Sequence, residues 1–242
     1  MSIAFNEPRT VRADYRLYNV RHLIVFTKAE REASFKLVYS AYLKRGIGTV
    51  NRYKMRVTPY HLLGTTEVFY AELDGEVVLT MTLVRDGKLG LPMESVYAKE
   101  VGILRNNGCN LAEVSCLADQ QGLMGKYFLP VFIGLNRLLA QYASKHGVGV
   151  LVAAIHPHHA PFYERVLGFE KFGPHRTYPN VANRSAVAIM IDFNFVRLYC
   201  PRCYGLFFDK PIPEKWLQST PISEEQKKHF APMVDSFFGH IA

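Results

Sequence analysis

Residues 147–173, GVGVLVAAIHPHHAPFYERVLGFEKFG, constrain the fold more than any other part of the chain. The apolar run 148–155 reads as a buried strand. It stops at His156-Pro157, because proline has no N–H to give a sheet ladder. A short amphipathic segment follows, with Phe162, Val166 and Leu167 on one side. Gly168 closes it as a helix cap, and Phe169 re-enters the core. A chain built around this unit has a sheet, and helices pack on that sheet.

The remaining segments extend the pattern. Residues 22–27 (HLIVFT) read as a strand. Residues 28–45 read as a helix, since Phe35, Val38, Tyr39, Tyr42 and Leu43 recur at helical spacing. Gly46-Ile47-Gly48 ends that helix, and a polar, basic loop runs to about residue 63. Residues 66–73 and 77–84 are β-rich runs joined by Asp74-Gly75, a hairpin signal. A helix is expected at residues 93–104 and a strand at 111–118 (LAEVSCLA). A long amphipathic helix spans 125–146, its stripe carrying Phe128, Val131, Phe132, Leu135, Leu138, Leu139 and Tyr142. After the opening unit come strands at 170–172 and 185–193, then a proline-punctuated tail with a helical stretch near 224–238 broken at Pro232. This order predicts an α+β fold, a mixed central sheet flanked by helices, rather than a strictly alternating nucleotide fold. Neither G-x-G-x-x-G nor a P-loop motif is present.

Composition narrows the function classes. With 49% hydrophobic and 21% charged residues over 242 positions, the chain has enough apolar surface for a substantial core. No apolar run approaches the ~20 residues that span a bilayer. The amino-terminal residues MSIAFNEPRTVRADYR have charge without an apolar h-region, which sets a cytoplasmic expectation. The balance of 29 Lys+Arg against 21 Asp+Glu gives +8. Much of it is local: Lys28, Arg31, Lys36, Lys44, Arg45, Arg52, Lys54 and Arg56 form either a solvated face or a docking surface for something acidic. The stretch lacks a nucleic-acid motif and aromatic interleaving, so no nucleic acid is expected. Cys200-Pro-Arg-Cys203 is a lone C-x-x-C with no second ligand pair. It is therefore expected to hold incidental thiols, with no metal site.

Glu113 is the first candidate for chemistry. Alternation in the 111–118 strand puts Leu111, Glu113, Ser115 and Leu117 on one face, and Ala112, Val114 and Cys116 on the other. A carboxylate there needs a polar cleft, an ion pair or an edge position. If partly desolvated, its pKa rises toward that of a general base for an amine. His156, His158 and His159 stand where strand gives way to helix, as caps or as substrate contacts. Tyr163 reads either as a half-buried core aromatic or as a general acid. The loop 119–126, with Gln121, Gly122, Gly125 and Lys126, is either a plain strand-to-helix connection or an anion site at a helix amino terminus.

Taken together, the hairpin FYAELDGEVVLTMTLVRD, the segment LGLPMESVYAKEVGILRNNGCNLAEVSCLAD and the block HPHHAPFYERVLGFEKFG resemble the N-acyl amino acid synthases. These are GNAT-fold acyltransferases related to acyl-homoserine lactone synthases. The resemblance covers roughly residues 24–193. It implies a GNAT domain at 21–193, preceded by an extension (1–20) and followed by an appendage packed on the domain (194–242). It also implies transfer of a fatty acyl group from an acyl carrier protein thioester to the amine of an amino acid, without a tightly bound cofactor. The family's strand glutamate maps onto Glu113 and its nearby hydroxyl onto Ser115. Gln121, Gly122, Gly125 and Lys126 would then meet the donor's phosphopantetheine, and His156 and His159 the substrate. Tyr163 would protonate the leaving thiolate, and an apolar channel beside the hairpin would hold the fatty chain. The family often continues E-x-S-R, whereas Cys116 stands here in place of the arginine. An acidic carrier gives the basic stretch a docking role. The alternatives are a coenzyme A-dependent GNAT acyltransferase and an inactive GNAT-like protein that binds an acyl group or a partner.

Overall fold

The computed structural model describes residues 19–120 and 127–235. Eight strands form the sheet: β1 (Arg21–Ile24), β2 (Thr66–Leu73), β3 (Glu76–Arg85), β4 (Leu111–Asp119), β5 (Val150–Ile155), β6 (Glu170–Lys171), β7 (Arg176–Tyr178) and β8 (Arg184–Asp192). The order is β1-β2-β3-β4-β5-β8-β6, with β7 also pairing β8. Every pairing is antiparallel except β4 with β5. The helices are α1 (Lys28–Lys44), α2 (Glu94–Asn106), α3 (Phe128–Lys145), the single turn α4 (Ala160–Phe162), α5 (Phe193–Tyr199), α6 (Pro201–Phe208) and α7 (Glu224–Phe230).

Two layers of helix cover the sheet. On one face, the stripe of α3 (Val131, Phe132, Leu135, Leu139, Tyr142) meets Phe69, Met81, Leu83, Ala112, Leu151 and Ile189. On the other, α1 packs Phe35 against Val68 and Tyr70, and α2 packs Tyr97 and Val101 against Leu111, Val150 and Val152. The α1 start is fixed by a capping box: Thr27 Oγ1 accepts from the Glu30 N–H, and the Glu30 carboxylate accepts from the Thr27 N–H. The hairpin turn has Asp74 at φ 51° and Gly75 at φ 86°, the positive pair that lets the flanking strands keep their twist.

The opening unit folds as its sequence dictates. β5 is followed by His156-Pro157, α4 and a π-turn over Tyr163–Leu167. Gly168 caps it at φ 78°, and Phe169 is buried. A Cβ at Gly168 would lie 2.8 Å from that of Cys203, so crowding and backbone angle both demand glycine.

Four sequence expectations change. Residues 49–63 are not a solvated loop: Met55, Arg56, Val57, Thr58, Tyr60 and His61 are buried, and Pro59–Leu62 makes a 3-10 turn. The tail forms α5 and α6 before the final helix, which ends at Phe230, with Pro232 in a following 3-10 turn. Cys200 and Cys203 are not separate thiols but a disulfide that ties the residue capping α6 to the first turn of that helix. The strict alternation expected of β4 also fails, with consequences for the site.

Candidate active site

β4 and β5 pair only at Leu111–Val150, Ala112–Leu151 and Glu113–Val152, then splay toward their carboxyl ends. Two features drive them apart. β5 ends at His156-Pro157, and β4 bulges: Thr82 faces Ser115 and Thr80 faces Ala118, so two residues of β4 stand opposite Met81. Cys116 takes the extra position at φ 51°. The bulge shifts the strand's phase. Ala112, Val114 and Leu117 pack on the α3 side, while Cys116 and Ala118 pack with Val38, Ala41 and Tyr42 of α1. The sequence-derived alternation put Leu117 with Glu113 and Cys116 opposite; the bulge exchanges them.

A cleft opens in the splay, in two chambers that share Tyr42, Ala154, Tyr178 and Val181 as walls. The inner chamber, about 80 Å³, is lined by Glu113, Ser115, Cys116, Arg56, Thr58, Tyr60 and Pro92 besides those shared walls and Val114. The outer one, about 420 Å³, adds Arg45, Ile47, Leu117, Ile155, His156, His159 and Tyr163. The structure thus brings Glu113, Ser115, His156, His159 and Tyr163 to one cleft. Gln121, Gly122, Gly125 and Lys126 lie outside the described residues. The faces of β2 and β3 are filled from α1 and α3, so the apolar volume at the site is the outer chamber rather than a channel along the hairpin.

Glu113 is 2% exposed, and its Oε2 accepts the Met93 N–H at 2.7 Å. Met93 caps α2, and the preceding Leu89-Gly90-Leu91-Pro92 turn carries it to β4. That turn is braced by Glu94, which accepts the Leu91 N–H at 2.7 Å and pairs with Arg105, itself bound to Asp86. Burial pushes the Glu113 carboxyl up to about 8; the Met93 N–H pulls the other way and the Glu94 charge adds to the rise. Desolvation wins because one hydrogen bond replaces a full hydration shell.

Phenols surround the carboxyl. Tyr178 donates to the Pro92 carbonyl at 3.2 Å, and burial raises the Tyr42, Tyr60 and Tyr178 hydroxyls, so all three stay neutral. Tyr163, half-buried in the outer chamber, is pushed up to about 12 by burial and keeps its proton. His156 Nδ1 accepts the His158 N–H at 3.3 Å, a capping role. Burial and the neighbouring histidines lower His159, which favours a neutral ring there. The Ser115 and Thr82 hydroxyls reach the thiol of half-buried Cys116.

Sequence reasoning missed three walls of the site. Arg56, 7% exposed, comes from the segment read as a solvated loop. Tyr178 and Val181 come from β7 and the turn after it, which carry no local pattern. Of the eight early cations, Arg31 and Arg56 are buried, which leaves Lys28, Lys36, Lys44, Arg45, Arg52 and Lys54 exposed.

A mixed sheet flanked by helices, with one parallel pair, β4 and β5, that splays after three residue pairs, is the architecture of the GNAT-fold acyltransferases. The profile of the N-acyl amino acid synthase FeeM family matches residues 33–192, and the chain belongs to that family. The structure of FeeM, an N-acyl amino acid synthase from uncultured soil microbes, is 26% identical with a TM-score of 0.59, covering 72% of this chain and 89% of that one. The acyl-homoserine lactone synthase LasI shares the fold at 19% identity and a TM-score of 0.58, covering 80% and 96%. So does BjaI, a coenzyme A-dependent acyl-homoserine lactone synthase solved with SAM and isopentyl-CoA, at 14% and 0.53, covering 88% and 99%. No curated protein matches the chain. The chain is therefore an enzyme, an N-acyltransferase that moves an acyl group to an amine. No helix among the described residues is long and apolar enough to cross a membrane.

Proposed function

We propose that this enzyme transfers a fatty acyl group from an acyl carrier protein thioester to the α-amine of an amino acid. The observation that carries the reading is the buried Glu113 carboxyl, held by Met93 at the inner end of the cleft, with its pKa displaced toward that of an amine. An amine nucleophile arrives as an ammonium ion and must lose a proton before attack. A base near 8 accepts that proton far more readily than a solvated carboxylate would.

The thioester lies across the splay, where N–H groups of the diverging strands polarise its carbonyl. Glu113, directly or through a water, takes the ammonium proton, and the neutral amine attacks the carbonyl carbon. Ser115, two residues further along β4, orients the incoming amine. The tetrahedral species collapses by breaking the C–S bond, and Tyr163 gives the departing thiolate its proton. His156 and His159 contact the substrate at the mouth of the outer chamber, whose Ile47, Leu117 and Ile155 receive the first carbons of the acyl chain. Gln121, Gly122, Gly125 and Lys126 take the donor's phosphate, and no resident cofactor takes part.

The exposed cations on α1 and the loop after it support a carrier protein as donor. Lys36 and Lys44 stand on the α1 wall of a groove whose β-strand wall carries Glu76 and Asp119, and the α1 wall is where an acidic carrier would dock. A thiol-release assay tests the reading. The full chain is given acylated carrier protein or acyl-coenzyme A of the same chain length, with a panel of amino acids. Turnover with the carrier thioester and an N-acyl amino acid product support it. Faster turnover with the coenzyme A thioester moves the donor assignment to coenzyme A, and thioester hydrolysis without N-acylation refutes the reaction.

A further inference from the structure

One motif stands outside the chemistry above: the disulfide within Cys200-Pro201-Arg202-Cys203. Its two halves differ in access. Cys200, the residue capping α6, is half-buried and lies between exposed Tyr199 on one side and exposed Pro201 and Arg202 on the other. Cys203, in the first turn of α6, is 4% exposed. The start of α6 has no side-chain cap, so a thiolate released at Cys200 would take the place of a capping oxygen. An incoming thiolate therefore has one reachable target in the pair, and access decides which sulfur is attacked.

The covered half sits against the turn that carries Tyr163. A Cβ on Gly168 would lie 2.8 Å from the Cys203 Cβ and 3.1 Å from its sulfur, so the two are in close contact. Gly168 and Phe169 both donate their N–H to the Tyr163 carbonyl. The Phe169 ring also stands edge-on to the Tyr163 ring, 5.5 Å between centroids. The far end of α6 is fixed to α3: Arg137 donates to the Leu206 carbonyl at 3.0 Å, and Gln141 to the Phe207 carbonyl at 2.7 Å. Two thiols need more room than one disulfide, and the end of α6 left to yield is the one beside Gly168.

We infer that Cys200–Cys203 is a redox-exchange site, opened by a dithiol and coupled through Gly168 to Tyr163. A thiolate of the dithiol attacks the Cys200 sulfur, forming a mixed disulfide and releasing Cys203, which takes a proton. The second thiol of the reductant, once deprotonated, attacks its own partner sulfur in the mixed disulfide, so Cys200 leaves and is protonated. Two electrons pass from the dithiol, which ends as a disulfide, to the protein, which ends with two thiols. The oxidised protein holds the turn under Tyr163; the reduced one loosens it and slows transfer. The exchange is independent of the proposed function, and its effect on turnover rests on the task of Tyr163 there.

The test holds the full, folded chain in buffers of reduced and oxidised dithiothreitol, with thiols trapped by maleimide and located by peptide mass spectrometry. Cys200 and Cys203 should be alkylated together after reduction and protected again after reoxidation. In Cys203→Ser, a mixed disulfide with an added aromatic disulfide should form on Cys200. Hydrogen exchange at the Gly168 and Phe169 amides should speed up about tenfold in the reduced chain. Once the dithiothreitol is removed, the reduced enzyme should show a kcat lowered about tenfold with KM unchanged, and reoxidation should restore it. Cys200→Ala with Cys203→Ala should ignore the same treatment, which separates this pair from free Cys109 and Cys116. A bond that stays closed in the folded chain overturns the site. Amide exchange or kcat that is the same in both redox states overturns the coupling. If the oxidised chain acylates no amino acid, the proposed function falls, while alkylation and amide exchange on wild type still decide this inference.

Discussion

Glu113→Gln tests the centre of the chemistry, because glutamine keeps the shape and still accepts the Met93 N–H while losing the titrating proton. In the folded protein burial keeps that proton bound until about pH 8, against an ordinary value of 4.5. A raised folded pKa means that the stability from Glu113 is fully present below 4.5 and is lost as the pH climbs through about 8. At ~1.36 kcal/mol for each tenfold change in protonation, that window spans at most roughly 5 kcal/mol, and relaxation around the ionised group reduces it to a few. The variant lacks this loss. Urea unfolding of both proteins at pH 5, 7 and 9 should therefore show Glu113→Gln gaining on wild type by roughly 2–4 kcal/mol across the series. Other titrating groups cancel in the difference. Turnover should fall about 10²–10⁴-fold, the scale of general-base catalysis. Wild-type kcat/KM should rise with pH and bend near 8, a limb that Glu113→Gln lacks. A stability difference that stays flat from pH 5 to 9 would refute the buried proton. Undiminished turnover would refute the base, whatever the titration showed.

Tyr163→Phe should slow transfer from an alkyl thioester by about 100-fold, and a donor whose thiol leaves without protonation, such as an aryl thioester, should erase the defect; a deficit identical for both donors would point to packing alone. Lys36→Glu with Lys44→Glu should raise KM for acylated carrier protein roughly tenfold, an effect lost at high salt, and leave an acyl-pantetheine donor unaffected. Gly168→Ala, which places a Cβ against Cys203 at a left-handed φ, should cost about 1–3 kcal/mol and lower Tm by several degrees without changing KM.

Where local pattern decides structure, the sequence was readable. The apolar run, His156-Pro157 and Gly168 specify strand, stop and cap through the chain's own dihedral and hydrogen-bond limits. Asp74-Gly75 specifies a turn because few other pairs tolerate positive φ twice. Glu113 stood out as a carboxylate within an apolar strand. The bulge at Cys116 did not, since nothing in LAEVSCLA shows that β3 opposes it one residue short; a bulge belongs to a pair of strands. The same holds for Tyr178, which reaches the chamber because β7 pairs with β8, while Cys200 and Cys203 are joined because a helix starts between them and brings its cap over its first turn. Arg56 lies in a basic stretch whose composition argues for solvent. Its burial is decided by residues 179 positions away.

That distant partner gives the segment after the last strand a part in the site. Buried Glu67 on β2 accepts from the Tyr142 hydroxyl at 3.1 Å, the Thr220 N–H at 3.1 Å and the Ser219 hydroxyl. Arg31 donates to the Thr220 carbonyl at 2.8 Å and to Gln226 at 3.1 Å. Leu217 joins the α3 side of the core, and Ile222 and Phe230 fill the α1 side. Further along this strap, Val234 and Asp235 lie against Val57 and Arg56. Without this strap Glu67 would keep the Tyr142 hydroxyl but lose Ser219 and Thr220, and Arg31 would lose both of these hydrogen bonds, a loss of several kcal/mol for charges so buried. The strap's folding is coupled to the core through Glu67 and Arg31, and it reaches the chamber wall through Asp235. Replacing Thr220 and Gln226, which hold Arg31, should therefore do more than alter a surface segment: it should lower Tm by several degrees, and a thermal melt indistinguishable from wild type would refute the coupling.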